Sequence, residues 1–253
     1  MKGAHVEERL QGQVALVTGA SRGIGRAVAI ALARLGARVV VNYKSATAQA
    51  EEAVGAIVAA GGAAEPAQAD VARPAEARTL VEKVLARHGR LDVLVNNAAV
   101  QRAALLHKMS DADWNDVLDL NLSAVFHLCR AALPAMLEAR RGNIVNVASA
   151  SSFMAQKGAS SYVASKHGLI GLTKALALET ASKGLRVNCV APGLTDTDLV
   201  RGLTDAQRNA LLTMVPLGRI AAPDEVASMV AYVVTDASYS TGNVFHVGGG
   251  VVM

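Results

Sequence analysis

Apolar positions along the chain follow two alternating rhythms. Short runs dense in Val, Ile and Leu recur as "QVALVTG", "ARVVVNY", "AEPAQADV", "LDVLVNNA", "GNIVNVAS", "LRVNCVAP" and "NVFHVGG". Runs apolar without a break read as strands buried on both faces. The third is weak by composition and gains its place from the alternation. Between these runs lie longer amphipathic segments that begin near Gly23, Ala46, Pro74, Asp111, Ser160 and Pro223. Strand and helix taking turns is the pattern of a parallel sheet with helices on both faces. The expected fold is therefore α/β, a doubly wound sheet of about seven parallel strands, with residues 1–253 forming one domain. Pro74 and Pro223 sit where a helix accepts proline, in its first turn, and Asp224 and Glu225 follow in favourable dipole positions. Pro134 should kink or end the helix that starts near Asp111.

One segment breaks the rhythm. Residues 195–222 fall between the sixth strand and the last helix, and "DTDLVRGLTDAQRNALL" reads as one or two short helices on a long insertion. Long connections in compact domains usually carry function. Its two readings are a cover over a substrate and a contact between subunits.

Composition narrows the class. At 52% hydrophobic and 18% charged the chain is globular, and with 3% aromatic residues its core is aliphatic. The nearest approach to a membrane span, "AVAIALARLGARVVV", is interrupted by Arg34, Gly36 and Arg38, and the start "MKGAHVEERLQGQ" lacks a leader's apolar centre. A cytoplasmic protein without membrane contact is expected. Cys129 and Cys189 read as buried free thiols, and the six histidines show no ligand spacing for a metal. The net charge of +4 is dispersed without aromatic interleaving, which argues against nucleic acid and suits an anionic cofactor or an acidic partner.

Candidate chemistry begins in "LVTGASRGIG", where the first strand runs straight into a helix. Gly19, Gly23 and Gly25 allow a tight turn and close backbone approach to a phosphate, and the helix N-terminus supplies free N–H groups. Ser21, Arg22 and Ile24 complete this turn. The sheet is thus of Rossmann type. After the second strand, a chain that binds NAD would place a carboxylate on the ribose. Here stand Asn42, Tyr43 and Lys44. With no carboxylate to repel a 2′-phosphate, and with Lys44 and Arg22 to attract one, NADP(H) is the expected cofactor; alternatively Lys44 only solvates a surface loop. Asp70, followed by Val71, is a candidate acceptor for the adenine amino group.

At the other strand ends lie Asn97, Ala98 and Ala99, then Ser149, then Pro192 and Gly193, with Thr195 and Thr197 beyond. Asn121 lies mid-helix in the apolar "LDLNLSAVFHL", where a buried amide needs a reason. "SSYVASKHG" sets Tyr162 one helical turn before Lys166, either as an activated acid or as a half-buried tyrosine beside a lysine that snorkels to water.

The set "TGASRGIG", "NNAA", "NLSAVF", Ser149, "YVASK" and "VAPG" resembles the short-chain dehydrogenase/reductase family from about Gln13 onward. In that family a serine stands thirteen positions before the tyrosine, which selects Ser149. The resemblance implies that Asn121, Ser149, Tyr162 and Lys166 form a catalytic tetrad. In it, Lys166, together with the positively charged nicotinamide of the oxidised complex, lowers the pKa of Tyr162; Lys166 also holds the nicotinamide ribose, Ser149 polarises the substrate carbonyl, and Asn121 anchors a water. Two departures are visible: Ala99 where the family usually has glycine, and Gly248 where it often has Asp or Asn.

Within the family the "NLSAVF" stretch and the segment from Asp196 to Ala227 resemble bacterial 3-oxoacyl-[acyl-carrier-protein] reductases. That likeness implies NADPH-dependent reduction of a 3-oxoacyl thioester, a homotetramer, and docking of an acidic carrier protein on basic residues beside the active-site mouth. Arg140, Arg141 and Lys183 are the candidates; as helix-end cations they have a second explanation. Reduction of another carbonyl, on a sugar, steroid or polyphenol, is the main alternative. A catalytically silent NADP-binding regulator is the other.

Overall fold

A computed structural model describes residues 9–252, so most of the stretch read above for a leader lies outside the described residues. Seven strands form one sheet: β1 (Val14–Val17), β2 (Arg38–Tyr43), β3 (Ala63–Gln68), β4 (Val93–Asn96), β5 (Gly142–Val147), β6 (Leu185–Pro192) and β7 (Val244–Val247). Their order is β3-β2-β1-β4-β5-β6-β7, and every neighbouring pair is parallel. The order reverses between β1 and β4, which opens a crevice beyond the carboxyl ends of those strands. β3, the run weak by composition, is the edge strand; Pro66 is tolerated there because one side of the strand needs no donors.

The strand residues alternate between two cores. Ala15, Val17, Val39 and Val41 pack under the first face, with helices α1 (Gly23–Arg34), α2 (Thr47–Ala59) and, in the C-terminal part, α9 (Pro223–Thr235). Val14, Leu16, Val40 and Leu94 pack under the second, with α3 (Pro74–His88), α5 (Ala124–Ala139) and α6 (Ser160–Thr180). Leu16, Leu32, Leu94 and Leu128 are almost wholly buried. Each such side chain is worth roughly 1.5–3 kcal/mol of transfer free energy.

Pro134 does not end its helix. α5 runs through it to Ala139 and stops at Arg140, which takes the left-handed conformation at φ 52°. The irregularity lies upstream: α4 (Asp111–Leu118) passes into a π-helical turn, Asp119–Ser123, before α5 begins. Taken together, Asp111–Ala139 is long and apolar enough to cross a membrane by length and composition, which the reading of continuous apolar runs overlooked. In the fold, Val125, Leu128, Cys129, Ala132 and Met136 of this segment face the sheet, where they close the second core.

The insertion carries two short helices, α7 (Asp198–Arg201) and α8 (Asp205–Leu212), the second opened by a reciprocal Thr204–Gln207 cap. Its base is closed by a bridge between Thr195 and Ala221.

Candidate active site

The phosphate turn is built by backbone contact. Gly19 (φ 60°) faces the chain at Ala98 so closely that a Cβ would lie 2.9 Å from Ala98 Cα. A Cβ on Gly25 would stand 2.4 Å from the Gly19 carbonyl oxygen and 2.5 Å from Asn97 Nδ2. Asn97 explains this closeness: its amide donates to the carbonyls of Thr18 (3.0 Å) and Gly19 (3.1 Å). The backbone N–H groups of Asn97 and Ala98 donate in turn to Thr18 Oγ1. Arg22, at the N-cap of α1, makes no side-chain cap, so the first amides of a twelve-residue helix keep their donors for an anion. Together the uncapped helix and the glycine turn fit the pyrophosphate of a dinucleotide, with Ser21, Gly23 and Ile24 along the same turn.

The ribose end differs from expectation in detail. Asn42 is 1% exposed, and its amide clips β2 to the end of β3 and the residue just past it by donating to the Ala67 and Ala69 carbonyls at 3.1 and 3.2 Å. Its oxygen accepts from Gly19 N–H at 3.4 Å, so Asn42 shapes the phosphate turn from beneath. Lys44 pairs with Asp70 at 2.8 Å, and Arg73 adds a 3.7 Å contact to the same carboxylate. Arg22 pairs with Asp198 at 3.1 Å, joining the phosphate turn to the insertion. A 2′-phosphate placed at this end would compete with Asp70 and Asp198 for those two cations. Val71 is buried in the second core.

Ser149, Tyr162 and Lys166 line one cavity of roughly 380 Å³ beyond the ends of β4, β5 and β6. Ser149 follows β5 and accepts from the N–H of Ser151 at 3.1 Å, which holds its hydroxyl in place. Tyr162 and Lys166 project from the first turns of α6. Lys166 is 3% exposed, and its Nζ donates to the Val147 carbonyl at 2.7 Å. Burial at that depth rules out the snorkelling reading.

Burial also pulls the lysine down to about 8. The same effect pushes Tyr162 above its ordinary value, opposed by its hydrogen bond with Ser149. In the protein by itself the lowering influence on Tyr162 comes from Ser149, and the Lys166 amine lies 5.8 Å from the centre of the tyrosine ring.

Asn121 is 1% exposed and is turned inward by the π-helical turn. Its oxygen accepts from Val100 N–H (2.8 Å), while its amide donates to Val100 O (2.9 Å) and Ser165 Oγ (3.2 Å). It therefore clamps the chain after β4 against α6. Ala99 lines the cavity with its methyl group, alongside Asn97, Pro192, Gly193, Thr195 and Thr197. Gly193 packs backbone to backbone on Gly248; a Cβ on Gly193 would fall 2.8 Å from Gly248 Cα. At Gly248 itself a Cβ finds its nearest neighbour at 4.0 Å, so a Cβ there meets no close contact.

Sequence reasoning missed the cavity's apolar wall: Val200, Leu203, Leu211, Met214 and Val215 of the insertion, with Val251 near the C-terminus. The alternation of apolar residues in "NALLTMV" was the available signal. It also misplaced the basic residues. Arg140 and Arg141 precede β5, and Lys183 precedes β6, so all three stand at the amino end of the sheet. Ser149 lies past the far end of β5, on the order of 20 Å away along six strand residues. Within one chain they do not border the mouth. A larger hollow of roughly 640 Å³ opens on that same amino edge, lined by Arg34, Arg38 and Arg90, and contains none of the catalytic candidates.

The family profile described as short chain dehydrogenase matches residues 13–208. The 3-oxoacyl-[acyl-carrier-protein] reductase of Synechocystis is 45% identical over 246 residues, covering 96% of this chain and 98% of the relative. The corresponding reductase FabG of Escherichia coli is 44% identical over 244 residues, again 96% and 98%. That of Staphylococcus aureus strain Mu50 is 44% identical over 240 residues, 94% of this chain and 98% of the relative.

Proposed function

Because the chain belongs to the short-chain dehydrogenase family, we propose that its site reduces 3-oxoacyl thioesters to 3-hydroxyacyl thioesters with NADPH as the reductant. It is an oxidoreductase acting between an alcohol and a carbonyl. The observation that carries the substrate reading is the mixed lining of the cavity. Ser149 and Tyr162 supply polar donors, and Val200, Leu203, Leu211, Met214 and Val215 of the insertion add aliphatic wall to the same cavity. That suits a carbonyl at the head of an acyl chain better than a sugar, whose hydroxyls need partners throughout.

The residues of this chain divide the work. Ser149 and Tyr162 hydrogen-bond the carbonyl oxygen and stabilise the negative charge that develops on it. A phenol kept protonated by burial is suited to give up its proton to that oxygen, and Lys166, with its amine pulled down to about 8, is poised near neutrality to replace it. The nicotinamide supplies the hydride. Gly19, Ser21, Gly23, Ile24 and Gly25 would hold its pyrophosphate, Lys44 and Arg22 a 2′-phosphate, and Asp70 the adenine. Lys166, with Asn97, Gly193, Thr195 and Thr197, would hold the nicotinamide half.

A carrier-linked substrate places one further demand on the assembly. Since Arg140, Arg141 and Lys183 face away from their own site, they can flank a mouth only when a second copy brings them there. Our reading is a homotetramer in which α5 and α6 pack against their counterparts. Phe126 (43% exposed) and Leu178 (86% exposed) offer apolar contact on those helices, and cytosolic residence follows from the same likeness.

The test is NADPH oxidation with an acetoacetyl thioester, presented on carrier protein and as the free thioester, with NADH and Tyr162→Phe alongside. Turnover that prefers NADPH and the carrier form, and that falls by roughly a thousandfold in the variant, supports the reading. NADPH binding without turnover of either thioester overturns the substrate.

A further inference from the structure

Among the buried polar side chains beneath the site, four form a connected set across β4, β5, α6 and β6. Asn96 on β4 donates to Asn146 Oδ1 on β5 at 2.8 Å, and Asn146 donates to Thr173 Oγ1 on α6 at 2.8 Å. Thr173 donates to the Leu169 carbonyl at 2.8 Å and meets the Cys189 sulfur on β6 at 3.0 Å. Its single hydrogen is spent on Leu169, so the Cys189 thiol is the donor in the last contact. That requires a protonated thiol, and burial keeps it so by raising Cys189 to about 11. Asn96 is 3% exposed, and Asn146, Thr173 and Cys189 are 0% exposed.

Four polar side chains in a dry aliphatic core are costly unless mutually satisfied, and they are directional where apolar packing is not. Their placement bears on the chemistry. Thr173 lies two turns beyond Lys166 on the same face of α6. Asn146 is the neighbour in β5 of Val147, whose carbonyl receives the Lys166 amine. β5 thus grips α6 at two successive levels, by a side chain at Thr173 and by a carbonyl at Lys166. A slip or roll of α6 on the sheet would leave apolar contacts nearly as good, but would break both grips together.

We propose that Thr173, held by Asn146 and Cys189, is a positioning residue for Lys166, fixing the register of α6 so that the catalytic amine reaches its seat on Val147. The inference rests on the reading of Tyr162 and Lys166 as the reacting pair. The titratable groups set against the Lys166 amine are Tyr162 from its own helix and Cys189 from β6, while β5 contributes the Val147 carbonyl.

Thr173→Val keeps the shape and removes the hydroxyl; Thr173→Ser restores it. Lys166 is followed through its side-chain carbon NMR signal in protein grown on labelled lysine, assigned with Lys166→Met, and turnover is measured across pH in parallel. In the parent protein the expected midpoint for Lys166 is about 8, pulled down by burial. In Thr173→Val the midpoint rises by about half a unit or more as the amine leaves its buried seat. Turnover at neutral pH drops roughly tenfold or more, and Thr173→Ser recovers most of both effects. A Thr173→Val protein that loses thermal stability but keeps the Lys166 titration and the turnover overturns the proposal. Asn146→Leu, read by the same two outcomes, replaces Thr173→Val if the latter does not fold. Retained turnover in Tyr162→Phe strikes the functional reading instead, and the NMR titration still decides the register question.

Discussion

Tyr162 and Lys166 stand one helical turn apart, yet burial moves them in opposite directions. The phenol is raised because its charged form is the anion, and the amine is lowered because its charged form is the cation. The lysine has a consequence for stability. Its ordinary value is 10.5 and the folded value about 8, so between those pH values the unfolded chain binds more protons than the folded one. Stability therefore rises with pH across that window, and below about 8 the whole cost of burying the charged amine is carried. Lys166→Met should abolish turnover and yet raise stability at pH 7, by up to about 3 kcal/mol less the lost bond to Val147. Thermal melts at pH 7 check this, and a lower melting temperature for the variant counts against it. The gain should shrink as pH climbs from about 8 towards 10.5.

At the scale of elements, local irregularities place the chemistry. The π-helical turn between α4 and α5 aims Asn121 inward, and such turns recur at functional sites because the extra residue re-aims a side chain. Asn121→Leu leaves the part-buried Val100 N–H and C=O without their Asn121 partners, at up to about 1 kcal/mol for each. Both stability and turnover should fall, and urea unfolding with parallel kinetics reports the two. The start of α9 is held differently. Glu225 accepts from Ala222 N–H at 2.8 Å and pairs with Arg219 at 2.6 Å, which hold its carboxyl down at about 2, against 4.5 ordinarily. A depressed carboxylate contributes stability that is fully present above 4.5 and is lost as pH falls through about 2. Glu225→Gln should therefore melt earlier at neutral pH and converge on the parent protein near the acid end; a constant gap across pH would contradict this.

The arrangement of the whole molecule separates its charges from its chemistry. The candidate catalytic side chains lie past the carboxyl ends of the strands, while Arg140, Arg141 and Lys183 lie at the amino ends. If a second copy supplies the basic rim, Arg140→Glu with Lys183→Glu should lower turnover of the carrier-bound substrate and spare the free thioester. Mixed assemblies then give a sharper result. Subunits with Tyr162→Phe but intact basic ends should restore the carrier-dependent rate of active subunits that lack them. Light scattering of the same samples reports whether the oligomer is present at all, and a rate insensitive to mixing would place the carrier elsewhere.

Much of this protein was legible before any coordinates. The alternation of apolar runs is a local property, so strand and helix positions, the glycine turn at Gly19–Gly25 and the Tyr162–Lys166 spacing could be read directly from residue order. The candidate tetrad was legible through the family resemblance, and the fold brings three of its members, Ser149, Tyr162 and Lys166, to one cavity. Three things were not, because each depends on groups distant in sequence coming together. Asn42 became a clip once β3 settled beside β2 and offered the Ala67 and Ala69 carbonyls. Pro134 was accommodated because α5 packs on the sheet, and tertiary burial outweighs the local penalty. The side of the molecule on which Arg140 and Lys183 fall followed from strand direction. Order along the chain decides which residues make a strand; only the parallel sheet decides which end of it meets the substrate.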